Sequence, residues 1–326
     1  MKKTAVLFIP ILILAAACVS QISREDLALE YYSLGNAYFD LGKYDKSRDY
    51  YLRALELDES LSGVNYNLAR IYIETQNYTD AVAVLNNLLV RDPENGIVLK
   101  TLAYAEFRAG NPEKALSIYN NYLGTVENDC EVLFNIALIH RETDDKEKAI
   151  EVFKQVNEQC PDLKKTDLHL GVLLLEAGDI QEGVVYLEEY VKQDKVEQGT
   201  LFLLAEAYED IEYYSKALEV YRKLLQEEQT RGKAAFRTAV IYLTAAEEPE
   251  PGLENLETAI NSGFRDLEAI KELLARDDLT AREEVAALLD EYDLYRPDGE
   301  EEAVEEENVP DEESEEETPL EDSNSR

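Results

Sequence analysis

Small residues recur along this chain at a fixed interval of 34 positions. The first series of such positions holds Gly35, Ala69, Ala103, Ala137, Gly171, Ala205 and Ala239. A second series in the same register holds Ser47, Ala81, Ala115, Ala149, Gly183 and Ala217. The residue before each member of the first series is apolar in six copies out of seven. A period of this length is typical of stacked copies of one supersecondary unit, and it predicts a repeat architecture.

Each copy carries the pattern of two helices. In the first copy, Tyr31, Leu34 and Tyr38 share one helical face because they are three and four positions apart. A second stretch around Tyr51 shows the same spacing, and Gly42 lies between the two because glycine adopts the positive φ that ends a helix. The small residues let two helix backbones approach closely where they cross. The pattern therefore predicts an all-α chain.

The motif of the first copy resembles a known family. It reads Tyr31-Tyr32-Ser33-Leu34-Gly35-Asn36-Ala37-Tyr38, followed by Gly42, Tyr44, Tyr51 and Ala54-Leu55-Glu56-Leu57-Asp58. This is similar to the consensus of the tetratricopeptide repeat (TPR) family, over about residues 28–262, with copies starting near residues 28, 62, 96, 130, 164, 198 and 232. The resemblance implies a right-handed superhelix (α-solenoid) of about seven TPR helical hairpins. In the seventh copy the loop is one residue longer, and its second helix is expected from Gly252 to Ser262.

The N-terminal residues resemble a bacterial lipoprotein signal. Lys2 and Lys3 precede an apolar run over residues 5–17, which is too short to span a hydrocarbon core of about 30 Å. The run ends in Leu14-Ala15-Ala16-Ala17-Cys18, which is similar to a lipobox except that Ala15 stands where leucine is favoured. We expect a signal peptide over 1–17, a lipid on Cys18 and a tether over 18–27. The alternative is ordinary cleavage that leaves Cys18 as a plain thiol.

The C-terminal part divides into two predicted segments. Residues 263–294 carry two short helical patterns, and they are expected to cap the repeat stack. Residues 295–326 form an acidic tail that is predicted to be disordered, since 298–326 hold fifteen carboxylates and one arginine. The chain has a net charge of −38, which argues against binding to nucleic acid and to anionic lipid. The tail is either a solubilising spacer or a contact for a basic partner.

Few residues in the sequence are candidates for chemistry. His140 and His169 lie in different copies, and a single carboxylate at Asp144 does not complete a metal site for His140. We expect no metal, no cofactor and no enzymatic activity. Cys130 and Cys160 open and close the fourth copy, so they form either a disulfide or two separate buried thiols.

The resemblance implies a partner site on the first helix of each copy, which lines the concave face in proteins of this family. The corresponding residues are Tyr32, Asn36, Phe39, Tyr66, Arg70, Ile73, Lys100, Tyr104, Phe107, Phe134, Leu138, Arg141, Leu168, Phe202 and Phe236. This lining is unusually apolar for an acidic chain, and exposed aromatic residues of this extent are typical of a partner site. The alternative is that part of this lining is core. Arg70, Lys100, Arg108 and Arg141 would make the N-terminal half of the groove basic.

These features predict a non-enzymatic protein-binding scaffold, or adaptor, of the bacterial cell envelope. It would be exported, anchored through the N-terminal lipid and turned towards the periplasm, with either membrane leaflet left open. Its partner would be another envelope protein, held as a peptide or helix in the groove. Two alternatives remain: an oligomeric, ligand-handling component of a periplasmic solute uptake system, and a surface-exposed adhesin.

Overall fold

The computed structural model of the chain describes residues 23–295. Across that range the chain folds entirely into helices and connecting loops, without a strand. The helices are α1 Arg24–Asp40, α2 Tyr44–Leu57, α3 Ser62–Glu74, α4 Tyr78–Arg91, α5 Gly96–Arg108, α6 Pro112–Leu123, α7 Cys130–Glu142, α8 Lys146–Gln159, α9 Lys165–Glu176, α10 Ile180–Tyr190, α11 Gln198–Asp210, α12 Tyr214–Leu224, α13 Glu228–Leu243, α14 Pro249–Asn261, α15 Leu267–Ala275 and α16 Arg282–Glu291. The all-α class predicted from the sequence period is confirmed.

The first fourteen helices pair consecutively into seven hairpins, from α1–α2 to α13–α14. The close crossing inside the first hairpin depends on its small residues. The Ser47 hydroxyl donates a hydrogen bond of 2.8 Å to the Gly35 carbonyl oxygen, and a Cβ on Gly35 would collide with the Tyr51 ring. After α1 ends, Gly42 adopts a φ of +67°, as the sequence predicts.

The second helix of the seventh hairpin starts earlier than predicted. Helix α14 begins at Pro249 and ends at Asn261, whereas the sequence places its start at Gly252. The physical reason is that proline fits the first turn of a helix, where a backbone N–H has no partner inside the helix. The prolines of this loop therefore begin the helix instead of delaying it.

The chain divides into two compact units, the first ending at Val196 and the second beginning at Glu197. The first unit contains hairpins α1–α2 to α9–α10. Its core is built around large buried rings on second helices, Tyr51, Tyr119 and Phe153. Each ring packs against apolar residues of the next first helix, as Tyr51 does against Val64 and Leu68. Burying one such side chain contributes about 1.5–3 kcal/mol, so the interfaces between hairpins stabilise the stack.

The second unit contains hairpins α11–α12 and α13–α14 followed by α15 and α16. Ile270 and Leu273 of α15 and Leu289 of α16 are buried in one cluster with Leu256 of α14. The loop before α16 also closes the end of α13, because the backbone N–H of Thr280 donates to the Leu243 carbonyl oxygen at 2.8 Å. The last two helices thus cover the seventh hairpin.

Candidate functional site

The residues predicted to line a groove fall into three classes of exposure. Most are half-buried on first helices: Tyr32, Asn36, Phe39, Tyr66, Ile73, Lys100, Tyr104, Phe107, Leu138, Arg141 and Leu168. Arg70 is exposed. The other three, Phe134, Phe202 and Phe236, are only 3%, 8% and 3% exposed.

The prediction that those three phenylalanines line an open groove is wrong. A residue on the first helix of the next hairpin covers Phe134 and Phe202, and a residue of the loop after α14 covers Phe236. The Lys165 ammonium lies 3.9 Å from the centre of the Phe134 ring, and the Lys233 ammonium lies 4.6 Å from that of Phe202. Phe236 stacks on Phe264 with their ring centres 4.2 Å apart. At these positions the first-helix aromatics are core residues.

An open surface is present where hairpins two, three and four follow each other in the first unit. A depression of about 470 Å³ is lined by Tyr66, Arg70, Glu74, Ile97, Lys100, Thr101, Tyr104, Tyr119, Glu131 and Asn135. A second depression of about 290 Å³ is lined by Ser62, Gly63, Tyr66, Leu88, Arg91, Asp92, Asn95, Ile97 and Val98. Tyr66 and Ile97 line both. We call the residues of these two depressions the first-helix groove, since most of them belong to α3, α5 and α7.

The ridge between the two depressions is held by local hydrogen bonds. The Asn95 side chain accepts from the Val98 N–H at 3.2 Å and so begins α5, which places Ile97 in the first turn with 62% of its surface exposed. The Thr101 hydroxyl donates to the Ile97 carbonyl oxygen at 2.8 Å. The Tyr66 hydroxyl, 3.1 Å from the Thr101 oxygen, must therefore donate to it. These bonds fix Tyr66 and leave Ile97 open to solvent.

One of the four predicted cations of the groove, Lys100, is neutralised by carboxylates. The Lys100 ammonium lies 2.9 Å from a Glu131 carboxylate oxygen and 3.1 Å from one of Asp129. The hydrogen bond to Glu131, opposed by burial and reinforced by Asp129, raises the pKa of Lys100 above its ordinary value. The expected cationic cluster is thus reduced at its centre to an internal ion pair.

The remaining cations of that cluster are held in different ways. Arg108 donates to the Tyr104 hydroxyl at 3.0 Å, and Arg141 donates to Nδ1 of His169 at 2.6 Å. Arg70 lies over the Phe39 ring, 4.3 Å from its centre, and makes no ion pair within residues 23–295. Arg70 is therefore the cation of this cluster that is best placed to receive a partner's carboxylate or carbonyl oxygen.

Phenol and amide groups link successive first helices beside the groove. The Tyr51 hydroxyl donates to the Asn36 side-chain oxygen at 2.6 Å, and the Asn67 amide donates to the same oxygen at 2.8 Å. Two hairpins further on, the Asn135 amide donates to the Tyr119 hydroxyl at 3.3 Å. These contacts hold the first helices in register, and Asn36 is consequently part of the structural network.

Sequence reasoning missed Ile97, Thr101, Glu131 and Asn135 as lining residues. Two of them occur at one spacing: Ile97 follows Tyr66 by 31 positions, and Glu131 follows Lys100 by the same number. Lys165 and Lys233, which cover Phe134 and Phe202, obey the same spacing. For Tyr66, Phe134 and Phe202 the residue 31 positions ahead thus distinguishes the open ring from the two covered ones, whereas Phe236 is covered by Phe264, which is 28 positions ahead.

Each of the two histidines is in contact with neighbouring side chains of its own part of the fold. His169 stacks on Phe153 with ring centres 5.5 Å apart, and burial, together with the charges of Arg141 and Lys165, lowers its pKa to about 4. His140 lies 3.5 Å from a carboxylate oxygen of Asp145, and not beside Asp144 as the sequence suggests, because Asp144 is in the turn with a φ of +60°. Within residues 23–295, no group of three or more His, Cys, Asp or Glu side chains could hold a metal ion.

Cys130 and Cys160 are joined in a disulfide, with their Cα atoms 6.1 Å apart. Cys130 is the first residue of α7, and Cys160 follows the last residue of α8. The bond therefore closes the fourth hairpin at the end opposite its turn. On the chain-entropy model, a loop of this size stabilises the fold by about 3.5 kcal/mol.

Several predictions concern residues outside the described range. Cys18, the signal peptide over 1–17 and the first half of the tether over 18–27 precede Ser23, and all but the first residue of the acidic tail over 295–326 follow Tyr295. From Ser23 to Tyr295, none of the helices combines the length and apolar character needed to cross a membrane.

Comparison with known proteins places the repeats in a family. Models of the tetratricopeptide repeat match residues 28–61, 66–129, 131–162 and 200–235, which together make up about half of the chain. A protein named uncharacterized lipoprotein, from Treponema pallidum (strain Nichols), is 34% identical over 96 residues, which are 29% of this chain and 49% of that protein.

A second relative bears the name of an enzyme. Protein O-mannosyl-transferase TMTC3 of Homo sapiens is 26% identical over 210 residues, which cover 52% of this chain and 23% of that protein. The chain therefore spans half or less of the length of these curated relatives. Among solved structures, pilF of Pseudomonas aeruginosa superposes with a TM-score of 0.53 at 18% identity, over 62% of this chain and 92% of that one. This likeness concerns the fold.

Proposed function

The chain belongs to the tetratricopeptide repeat family, and from that premise we propose that it is a protein-binding scaffold of the bacterial cell envelope. The repeats support a protein-interaction scaffold in general. We further propose that the partner is another envelope protein, that a segment of it lies in the first-helix groove, and that a lipid on Cys18 anchors the scaffold to a membrane facing the periplasm.

The open ridge of the first-helix groove is the observation that carries the partner site. Ile97 exposes most of an apolar side chain between two depressions, while Tyr66 and Tyr104 present aromatic surface beside it. Tyrosine and arginine are enriched among the residues that dominate binding energy at interfaces. A fixed ring, an exposed aliphatic residue and an unpaired guanidinium at Arg70 supply those ingredients within one surface.

The lining also defines the chemistry of the partner segment. An apolar side chain of the partner would cover Ile97 and Tyr66, which contributes about 25 cal/mol for each Å² of apolar surface removed from water. A carboxylate or carbonyl oxygen would accept from Arg70. Because Lys100 is already paired with Glu131 and Asp129, the site would receive one acidic group and not a run of them.

The anchor and the absence of catalysis are separate parts of the proposal. The lipobox-like sequence before Cys18 and the relative named as a lipoprotein support the anchor. The match to the transferase covers 23% of that protein, so its name carries no activity over to this chain. We propose a non-enzymatic scaffold, in keeping with the structural environments of His140 and His169.

The groove is tested with two matched substitutions of exposed aliphatic residues. Ile97→Asp places a charge on the ridge, and Val90→Asp places one on α4, where Val90 is 81% exposed. Partners are recovered from cross-linked envelope fractions, and circular dichroism shows that both variants fold. We expect Ile97→Asp to lose the partner and Val90→Asp to keep it. Equal recovery with both variants, whether high or low, would overturn the groove.

The anchor has its own test. Cys18→Ser should move the protein from the membrane fraction to the soluble periplasmic fraction and abolish incorporation of labelled fatty acid. Unchanged fractionation and labelling would show that Cys18 is not the site of lipid attachment.

A further inference from the structure

The outer face of α1 differs from the same face of every following first helix in the first unit. On the first helices of the following hairpins this face is apolar and buried. On α3, for example, its residues Val64, Leu68 and Ile71 are 0%, 6% and 2% exposed. In α5 and α7 the corresponding residues are Val98, Leu102, Ala105, Val132, Ile136 and Ile139, all buried. These residues are covered by the second helix of the preceding hairpin.

In α1 the corresponding positions are open. Leu34 is 43% exposed, and Glu30 and Ala37 are also exposed. Leu29 and Leu41 flank them with 50% and 65% of their surface exposed. A shallow depression of about 410 Å³ is lined by Leu29, Glu30, Ser33 and Leu34. We call Leu29, Glu30, Ser33, Leu34, Ala37 and Leu41 the open end face. No helix among residues 23–295 packs on it.

We propose that the open end face docks a basic amphipathic helix of a partner protein, which takes the place that a preceding second helix would occupy. The interior interfaces of the same chain show what fits such a face. On α3 the occupant is α2, which contributes Tyr51 and Ala54 to the buried cluster with Leu68. The docked helix would continue the stacking of the array by one element.

The negative charge of α1 favours a basic occupant. Glu30 stands where the next three first helices carry a buried valine, and Glu25, Asp26 and Asp40 add further negative charge to α1. The cation of α1 is turned away, because Arg24 donates to the Glu56 carbonyl oxygen at 2.8 Å. A lysine or arginine of the partner opposite Glu30 would compensate the carboxylate as the contact loses water.

Two other occupants are disfavoured, a second copy by charge and the N-terminal segment by its length. A second copy of this chain would bring identical acidic residues against each other in a symmetric contact, which is destabilising. If Cys18 becomes the N-terminus, only residues 18–22 precede Ser23, and five residues make less than two turns of helix. Such a segment is too short to cover α1, which has 17 residues.

The probe for the test is a helix-constrained, fluorescent peptide with the sequence of residues 213–226. It contains α12, a second helix of this same array, with Lys216, Arg222 and Lys223 as its cations. Its binding to the full chain is followed by fluorescence anisotropy at low salt. We expect saturable binding that Leu34→Asp weakens at least about tenfold, the factor for losing about 1.4 kcal/mol.

Two controls separate docking from a general change of charge or stability. Leu52→Asp alters an exposed leucine of α2 with 46% exposure and should leave binding unchanged. Glu30→Lys should weaken binding of the basic peptide, and a peptide with its three cations replaced by glutamate should bind this variant better than the wild type.

Three results of the binding experiments would overturn the proposal. These are no saturable binding up to about 1 mM peptide, equal effects of Leu34→Asp and Leu52→Asp, and no gain for the charge-reversed pair. Sedimentation of the wild type and of Leu34→Asp identifies a second copy as the occupant if only the wild type forms dimers, and that outcome also overturns the proposal. Because Leu34 does not line the first-helix groove, the groove proposal stands or fails independently.

Discussion

The first helices of the two units carry the same register of residues but present different surfaces. In the first unit, Tyr66 and Lys100 lie beside depressions that are open to solvent. In the second unit, Phe202 and Phe236 occupy the same register and are buried under Lys233 and Phe264. A series of aromatic residues at a fixed period is therefore partly open surface and partly core.

For Tyr66 and Phe202 the difference lies in the residue 31 positions ahead, in the next repeat. Ile97 is 31 positions after Tyr66 and lines both depressions with it, and part of the Tyr66 ring stays exposed. Lys233 is 31 positions after Phe202, and its ammonium lies over the face of that ring. A cation is attracted to the face of an aromatic ring, so lysine at this position closes the surface.

The largest expected effect is a difference in stability loss between a buried ring of the second unit and a half-buried ring of the first unit. Phe236→Ala removes a buried ring stacked on Phe264 and should lower the free energy of unfolding of the second unit by about 3–5 kcal/mol. Tyr66→Ala removes a half-buried ring and should cost about 1 kcal/mol in the first unit. Urea unfolding followed by circular dichroism measures both. Equal losses would contradict the assignment of one ring to core and the other to surface.

The two units also differ in the polar contacts made at one position of the repeat. Arg237 of the second unit donates to both carboxylate oxygens of Glu209, at 2.9 and 3.1 Å, and the Tyr221 hydroxyl donates to Glu209 at 2.6 Å. Asn67 of the first unit occupies the position of Arg237 and makes only neutral contacts.

Removing the cation should cost more than removing the amide. Arg237→Met leaves a partly buried carboxylate without its cation and should destabilise the second unit by about 3 kcal/mol. Asn67→Ala should cost about 1–2 kcal/mol. If Arg237→Met with Glu209→Gln is as unstable as Arg237→Met alone, the ion pair is not the cause.

The smallest expected effect is on the pH dependence of stability, and it arises from His169 beside the buried ring of Phe134. His169 lies 5.4 Å from Phe134, ring centre to ring centre, and its pKa is lowered to about 4 by burial and by Arg141 and Lys165. The unfolded chain, with a histidine pKa of about 6.5, binds the proton more readily. This contribution to stability is therefore complete above about pH 6.5 and is lost as the pH falls towards 4.

His169→Asn removes that dependence. The variant should lose less stability than the wild type between pH 7 and pH 4.5 in urea unfolding, whereas His140→Asn, which removes the other histidine, should retain the loss caused by His169. Identical pH profiles for the wild type and His169→Asn would contradict the buried, neutral state of this ring.

Much of the fold follows from the sequence, because repeats restate one pattern many times. The small residues at Gly35 and Ser47 predict the close crossing that their hydrogen bond now shows. The start of α14 at Pro249 could not be placed from the period, since the longer loop breaks it. The local preference of proline for a first helical turn decided that boundary instead.

The site was predictable only in part. The positions of Tyr66, Arg70 and Tyr104 follow from the register of the first helices. Their exposure does not, because it depends on residues of the next repeat such as Ile97 and Glu131. A register assigns a residue to a face of its own helix, whereas the neighbouring helix determines how much of that face reaches solvent. This is why Phe134, Phe202 and Phe236 were assigned to the surface.

We propose that partners bind the first-helix groove of the first unit. The most direct test of this proposal is site-specific photo-crosslinking in intact cells, with a photoreactive phenylalanine analogue at Tyr104 in the groove or at Val90 on α4. We predict a discrete covalent adduct from position 104 that is absent from position 90 and that Ile97→Asp abolishes. Adducts from position 90 alone, or the same adducts from both positions, would contradict it.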